Sequence, residues 1–313
     1  MNKEFEKICR MSQKSLKNHL KQKLCTEYGN VIVGDGYLYA KGNFPVLLVA
    51  HLDTVHRKLP SIFVYDQTQD IISSPQGIGG DDRAGVYMIM EIIKMFNCSV
   101  LFTEDEEIGG IGASKFVKTD FVKEMDVNYI IEFDRMNSND AVFYSCANEE
   151  FEEFITKDFY KTNYGTYSDI CDIAPVVGCA AVNLSCGYHK PHTTDEYVVL
   201  SEMENSIKAA CDILARTTHD DKFEYVEDES HYYDDDDEWF GYSHGCYNYS
   251  YGVYNTQMYY LIEYVNVYGD TDYYDTIARS KAEAIGHFVM DNPNATYDNI
   301  IDVCVDKDVY RYI

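Results

Sequence analysis

Five short segments of this chain end an apolar run in histidine or acid. The first is Ala50-His51-Leu52-Asp53, directly after Val46-Leu47-Leu48-Val49. The others are Gly79-Gly80-Asp81-Asp82-Arg83-Ala84-Gly85, Phe102-Thr103-Glu104-Asp105-Glu106-Glu107-Ile108-Gly109, Ile131-Glu132-Phe133-Asp134, and His189-Lys190-Pro191-His192-Thr193-Thr194-Asp195-Glu196. An imidazole and a carboxylate two residues apart at the C-terminal end of a buried strand stand where α/β proteins place their ligand crevice. Several strands ending this way would crowd like charges at one rim of a sheet, and these repel unless a cation neutralises them. The pattern points to a metal site.

The elements that must position these residues follow from the hydrophobic pattern. Phe5, Ile8, Met11, Leu16, Leu20 and Leu24 recur at the helical period, which predicts one amphipathic helix over 2–24. Stretches 31–33 and 37–39 about Gly34-Asp35-Gly36 read as a hairpin leading into the strand 46–49, and 62–65 with 71–73 as a second hairpin. Segment 84–93 is apolar nearly all round, as a helix buried against a sheet would be. Short apolar runs at 99–102, 128–131 and 180–184 alternate with helical stretches such as 113–118. The fold class is therefore α/β, with a mostly parallel central sheet flanked by helices. A last core helix spans 201–216, with Ser201 as N-cap and Met203, Ile207, Ala210, Cys211 and Leu214 on one face. The expected organisation is a main domain at 1–217, an acidic and Tyr-rich low-complexity linker at 218–257, and a small α+β appendage at 258–313. The appendage reads as β-α-β: strand 258–267, helix 280–290 opening on a Ser280/Glu283 capping box, and strand 300–305.

Composition narrows the partners. The net charge is -27 and no basic stripe is present, which disfavours nucleic acid and anionic membrane surfaces. The acid concentrates at 220–238, where Lys222 is the single base, and this run reads as a solvated, disordered linker. Apolar runs fall far short of the roughly 18 to 20 residues of a membrane span, and the N-terminal residues lack a signal-peptide core. The expectation is a soluble, cytoplasmic protein. Its ten cysteines, scattered without Cys-x-x-Cys pairs, read mostly as small buried hydrophobes, Cys179 and Cys186 among them. His56, His219, His231, His244 and His287 have no partners in sequence and read as solvent histidines.

In order, His-x-Asp, Gly-x-Asp-Asp-Arg-x-Gly, Asp-Glu-Glu-x-Gly, Asp and His-x-x-x-Glu resemble the dinuclear zinc exopeptidase superfamily, nearest in pattern to its peptidase T-like and zinc aminopeptidase-like members. The resemblance covers about residues 30–216. It implies two zinc ions bridged by one carboxylate and a water or hydroxide, with a neighbouring Glu as general base. Carried over by position, Asp81 is the bridging ligand, His51 and Asp134 complete one site, Glu107 and His192 the other, Glu106 is the base, and Asp53 orients His51. Glu132 stands as an alternative to Asp134, whose neighbour Arg135 could pair with it. His192 is preferred to His189 because it alone lies four before Glu196, leaving His189 as substrate-facing or surface. Arg83 could pair locally with Asp82. Gly165-Thr166-Tyr167-Ser168-Asp169 resembles a Gly-Thr-Asp loop near the active site of the aminopeptidase-like members, and reads equally as a turn before a helix.

Departures from the superfamily shape the expectation. Only 57 residues separate Asp134 from His192, so the lid or dimerisation domain that many members insert there is missing, and only 27 lie between Asp53 and Asp81. The reading is a minimal dizinc hydrolase of short peptides, most simply an aminopeptidase. The alternatives are a dizinc amidohydrolase acting on N-acyl or N-carbamoyl amino acids, and a non-catalytic scaffold binding through its acidic, tyrosine-rich tail. Cobalt or manganese would also suit mixed imidazole and carboxylate ligands.

Overall fold

Ser12 breaks the opening amphipathic stretch into two helices, α1 (Lys3–Cys9) and α2 (Gln13–Glu27), where the periodicity predicts one. The computed structural model describes residues 3–144, 146–226, 258–265, 271–278, 288 and 300–305. Ser12 is extended, and its hydroxyl accepts the Ser15 amide at 3.3 Å as the N-cap of α2. Phe5, Ile8, Leu16, Leu20 and Leu24 all stay buried, so the period holds across a break that it does not mark.

Contacts divide the chain into two units, Met1–Cys246 and Tyr247–Ile313. After α2 the first unit runs β1 (Val31–Gly34), β2 (Tyr37–Ala40), β3 (Phe44–His51), β4 (Val64–Asp66), β5 (Ile71–Ser73), α3 (Gly80–Ile92), β6 (Cys98–Thr103), α4 (Ile111–Phe116), β7 (Tyr129–Arg135), β8 (Asp140–Val142), α5 (Glu149–Thr156), β9 (Lys161–Thr162), α6 (Ile170–Val177), β10 (Ala181–Ser185), β11 (Tyr188–His189), β12 (Tyr197–Val199) and α7 (Leu200–Arg216). Eight strands form one sheet in the order β1-β2-β6-β3-β7-β10-β8-β9. Its centre, β6-β3-β7-β10, is parallel, and β1/β2, β2/β6 and β10/β8 pair antiparallel. A smaller sheet, β11-β12-β5-β4, carries the second predicted hairpin.

Helices cover both faces of the large sheet, as a parallel centre requires. Alternate residues of β3 divide between them: Val46, Leu48 and Ala50 join the core that holds α1, α2, α3 and α7, while Leu47 and Val49 join the core built with α4 and α6. The described cysteines are free, and Cys9, Cys98, Cys146, Cys179 and Cys186 are buried. Among the described residues no helix is long and apolar enough to cross a membrane.

Three readings are corrected here. Ser201 is not the N-cap of α7; Val199 holds that position, and the first turn is capped from afar by Asp70, whose carbonyl accepts the Leu200 amide at 3.0 Å and whose carboxylate accepts the Ser201 amide at 2.8 Å. Residues 218–226, read as the start of a disordered linker, pack onto the first unit. Phe223 is buried against Tyr129, Phe151 and Phe154, its carbonyl accepts the Ala180 amide at 2.8 Å, and Lys222 pairs with Asp126. The rest of that run, 227–257, lies outside the described residues. In the second unit the β-α-β reading omitted a strand: β13 (Met258–Val265) pairs antiparallel with β14 (Thr271–Ala278) on one side and β15 (Ile300–Val305) on the other. The helix read at 280–290 lies outside the described residues except for Phe288, which is helical and buried.

Candidate metal centre

Register brings the candidate residues together. β3 pairs in parallel with β6 so that His51 lies opposite Thr103, which sets the segment Glu104-Asp105-Glu106-Glu107 just beyond the end of the sheet beside His51. β7, on the other side of β3, brings Asp134 to the same rim.

Gly79 is left-handed (φ 66°) at the start of α3, and Asp81 and Asp82, joined by a cis peptide, have non-helical φ/ψ. The two adjacent acids face different partners. The Asp81 carboxylate lies between two imidazoles, its Oδ1 3.1 Å from His51 Nε2 and its Oδ2 3.2 Å from His192 Nε2. Asp82 accepts the backbone amides of Gly85 at 2.9 Å and His51 at 3.2 Å. Gly85 is demanded by close packing, because a Cβ there would lie 1.8 Å from the Phe133 carbonyl oxygen. Arg83 does not pair with Asp82; it donates to the Met11 carbonyl at 3.1 Å.

Asp53 holds three groups at once. It lies 3.2 Å from His51 Nδ1 and accepts the amides of Glu106 and Glu107, both at 3.1 Å. Asp134 Oδ1 stands 3.4 Å from His51 Nε2 and accepts the Tyr188 hydroxyl at 3.3 Å, while Oδ2 accepts Ser168 at 3.3 Å. Arg135 pairs with Asp140 rather than Asp134. Glu132 is fully buried and accepts the Ser168 hydroxyl. His192 Nε2 is 3.1 Å from Glu107 Oε2, whereas His189 pairs with Glu202 at 2.6 Å and stacks on Tyr197.

Among the described residues two groups of donors emerge, His51 with Asp81 and Asp134, and Asp81 with Glu107 and His192. In each, the donor atoms lie within 4.8 Å of one another, and Asp81 belongs to both. Glu107 Oε1 is buried without a hydrogen-bond partner. Mixed imidazole and carboxylate donors with an unsatisfied buried oxygen fit a divalent cation such as zinc.

The charges respond to this crowding. Burial opposes a charged His51, but the carboxylates of Asp134, Asp53 and Asp81 outweigh it and hold the imidazole well above its usual range. Hydrogen bonds to Asp81 and Glu107 raise His192 to about 11. Burial, reinforced by neighbouring acids, raises Glu106, Glu132 and Asp82 well above ordinary carboxylates, and brings Asp134 to about 6 and Asp169 to about 7.

Some surrounding residues were given no such role by sequence. Glu196, fully buried, accepts the amides of Gly79 and Asp81, both at 2.9 Å, and pairs with His56 at 2.8 Å, so His56 is not a solvent histidine. Asn183 accepts the Asp134 amide at 2.9 Å and donates to Ser168 at 3.0 Å. Ser168 and Asp169 are both buried; Ser168 reaches Glu132 and Asp134, and Asp169 accepts Thr103. The loop that carries them thus does both things its sequence allowed, leading into α6 and lining the site. Glu196 stood in the His-x-x-x-Glu motif, but Asn183 and Tyr188 carried no local signal.

Residues 32–173 match the family model described as Peptidase family M28. The fold is shared with the aminopeptidase PepT from Bacillus cereus (14% identity, 67% of this chain and 96% of that chain, TM-score 0.53). It is also shared with a tripeptidase from Staphylococcus aureus (14%, 68% and 97%, 0.54) and an aminopeptidase from the archaeon Desulfurococcus kamchatkensis (13%, 69% and 94%, 0.50). No curated protein gives a significant sequence match. Identities this low establish a common fold and leave the chemistry to be argued from the site. The family model, with that fold, supports a metal-dependent peptidase.

Proposed function

From its place in the dinuclear zinc exopeptidase-like superfamily, we propose that this metallopeptidase is a dizinc aminopeptidase of short peptides. The observation that carries the proposal is the Asp81 carboxylate, whose two oxygens each meet a different imidazole and which belongs to both donor groups. His51, Asp81 and Asp134 would hold one ion, and Asp81, Glu107 and His192 the other. When bound, such a pair supplies Lewis acidity toward the scissile carbonyl and lowers the pKa of water in the site.

The chain's own residues do the rest. Glu106 is the general base: it takes a proton from the attacking water and delivers it to the leaving amine. Burial, which raises its proton affinity, suits a group that must both accept and return a proton. Asp53 aligns the His51 ring through Nδ1 and fixes the backbone of Glu106 and Glu107, so ligand and base share one support.

An aminopeptidase requires a substrate whose reacting end carries a free α-amine, whereas an amidohydrolase of N-acyl amino acids does not. A panel of aminoacyl-p-nitroanilides with free and N-acetylated α-amines, beside N-acyl and N-carbamoyl amino acids, tests this. Turnover confined to free amines is expected, and faster cleavage of acylated amino acids would overturn it.

A further inference from the structure

The residues on α2 that contact the segment before Glu106 and Glu107 lie ahead of the segment 32–173 that the family model matches. Gln13, Leu16, Lys17 and Leu20 fall at i, i+3, i+4 and i+7, on one face of the helix. Leu16 and Leu20 are buried and anchor that face. Gln13 Nε2 donates to Asp105 Oδ1 at 3.0 Å, and Lys17 Nζ pairs with Glu104 while also donating to the Gly34 carbonyl at 2.9 Å. The Lys17 and Glu104 side chains are only 13% and 16% exposed, so their charges are largely withdrawn from water.

Between Glu104 and Glu106, Asp105 adopts a left-handed backbone (φ 62°), a conformation that aspartate enters more readily than most side-chain-bearing residues. This bend separates Glu104, which faces Lys17, from the Glu106 and Glu107 amides, which Asp53 holds. We infer that Gln13 and Lys17 are positioning residues for Glu106 and Glu107: α2 grips Glu104 and Asp105 from one side as Asp53 grips the next two amides from the other. This rests on the proposed function, on Glu106 as base for the effect on rate and on Glu107 as a ligand for the effect on metal affinity.

The test uses the full chain with Gln13→Leu, Lys17→Met, both together, and Lys17→Arg, read by leucine-p-nitroanilide hydrolysis and by titration with Co2+ alone. Displacing a catalytic group by a fraction of an ångström to an ångström lowers the rate by about ten- to a hundredfold. The double variant should lose about that much kcat with KM within about twofold, and bind one Co2+ about tenfold more weakly. Lys17→Arg should recover most of both. Gln13→Leu replaces a neutral side chain with a neutral one, so its loss separates geometry from charge, and it decides the matter if the double variant does not fold. A folded double variant with wild-type kcat and Co2+ affinity would overturn the inference, as would a rise in KM alone. Wild-type protein that cleaves no peptide would count against the proposed function, and the Co2+ titration would then decide this inference by itself.

Discussion

Asp53→Asn takes one oxygen from a carboxylate that serves three groups. Oδ1 meets His51 Nδ1 at 3.2 Å and the Glu106 amide at 3.1 Å, and Oδ2 meets the Glu107 amide at 3.1 Å. An asparagine has one acceptor oxygen and one NH2. Its better orientation keeps the two contacts at Oδ1 and turns the NH2 against the Glu107 N–H, donor facing donor. A hydrogen bond to a charged acceptor is worth about 1.5–3 kcal/mol, so kcat/KM should fall by about ten- to a hundredfold. Co2+ affinity should weaken over a similar range, because Glu107 and His51 are proposed ligands held by this carboxylate. Steady-state hydrolysis at saturating metal, with Co2+ titration in parallel, measures both. Asp53→Ala, which removes all three contacts, should be worse. Asparagine and alanine variants both within twofold of wild type would refute the claim that Asp53 orients ligand and base.

Glu106→Gln keeps the size and removes the proton acceptor, so it should retain its full metal content while losing about a hundred- to ten-thousandfold in kcat; full hydrolysis in a metal-replete variant would remove Glu106 from the base role. Metal binding should also release protons. Without metal, Asp81 and Glu107 hold His192 at about 11, and Asp134, Asp53 and Asp81 hold His51 well above its usual range, so both imidazoles are protonated at pH 7. Ligation needs them neutral, hence affinity must rise as pH rises. Calorimetry at pH 7 in two buffers of different ionisation enthalpy should report close to two protons released, and heats independent of buffer would contradict this.

The parallel centre of the fold was legible because β3, β6 and β10 are buried along most of their length and read as short, mostly apolar runs, interrupted only by Ser99 in β6 and Asn183 in β10. What escaped the pattern depends on partners distant in sequence. The cap on α7 comes from Asp70, 131 residues before Ser201 in the chain. Phe223 sits in an acidic, polar run whose composition hides one residue packed against an aromatic cluster. The break at Ser12 turns on a single hydroxyl within an otherwise continuous helical period. At the site, the order of motifs named the residues that converge, while the choice between Asp134 and Glu132 needed depth. Both lie on β7, but only Asp134 reaches His51, whereas Glu132 stays buried on Ser168. Likewise His189 and His192 share one loop region, and the pairing of His189 with Glu202 separates them.

Metal content per chain, measured by elemental analysis in wild type and in Asp81→Ala, bears most directly on a dinuclear centre built around Asp81. The expected result is two divalent ions in wild type, falling to one or none when the shared carboxylate is removed. Wild type that saturates with a single ion, or an Asp81→Ala chain that still holds two, would contradict the dinuclear reading.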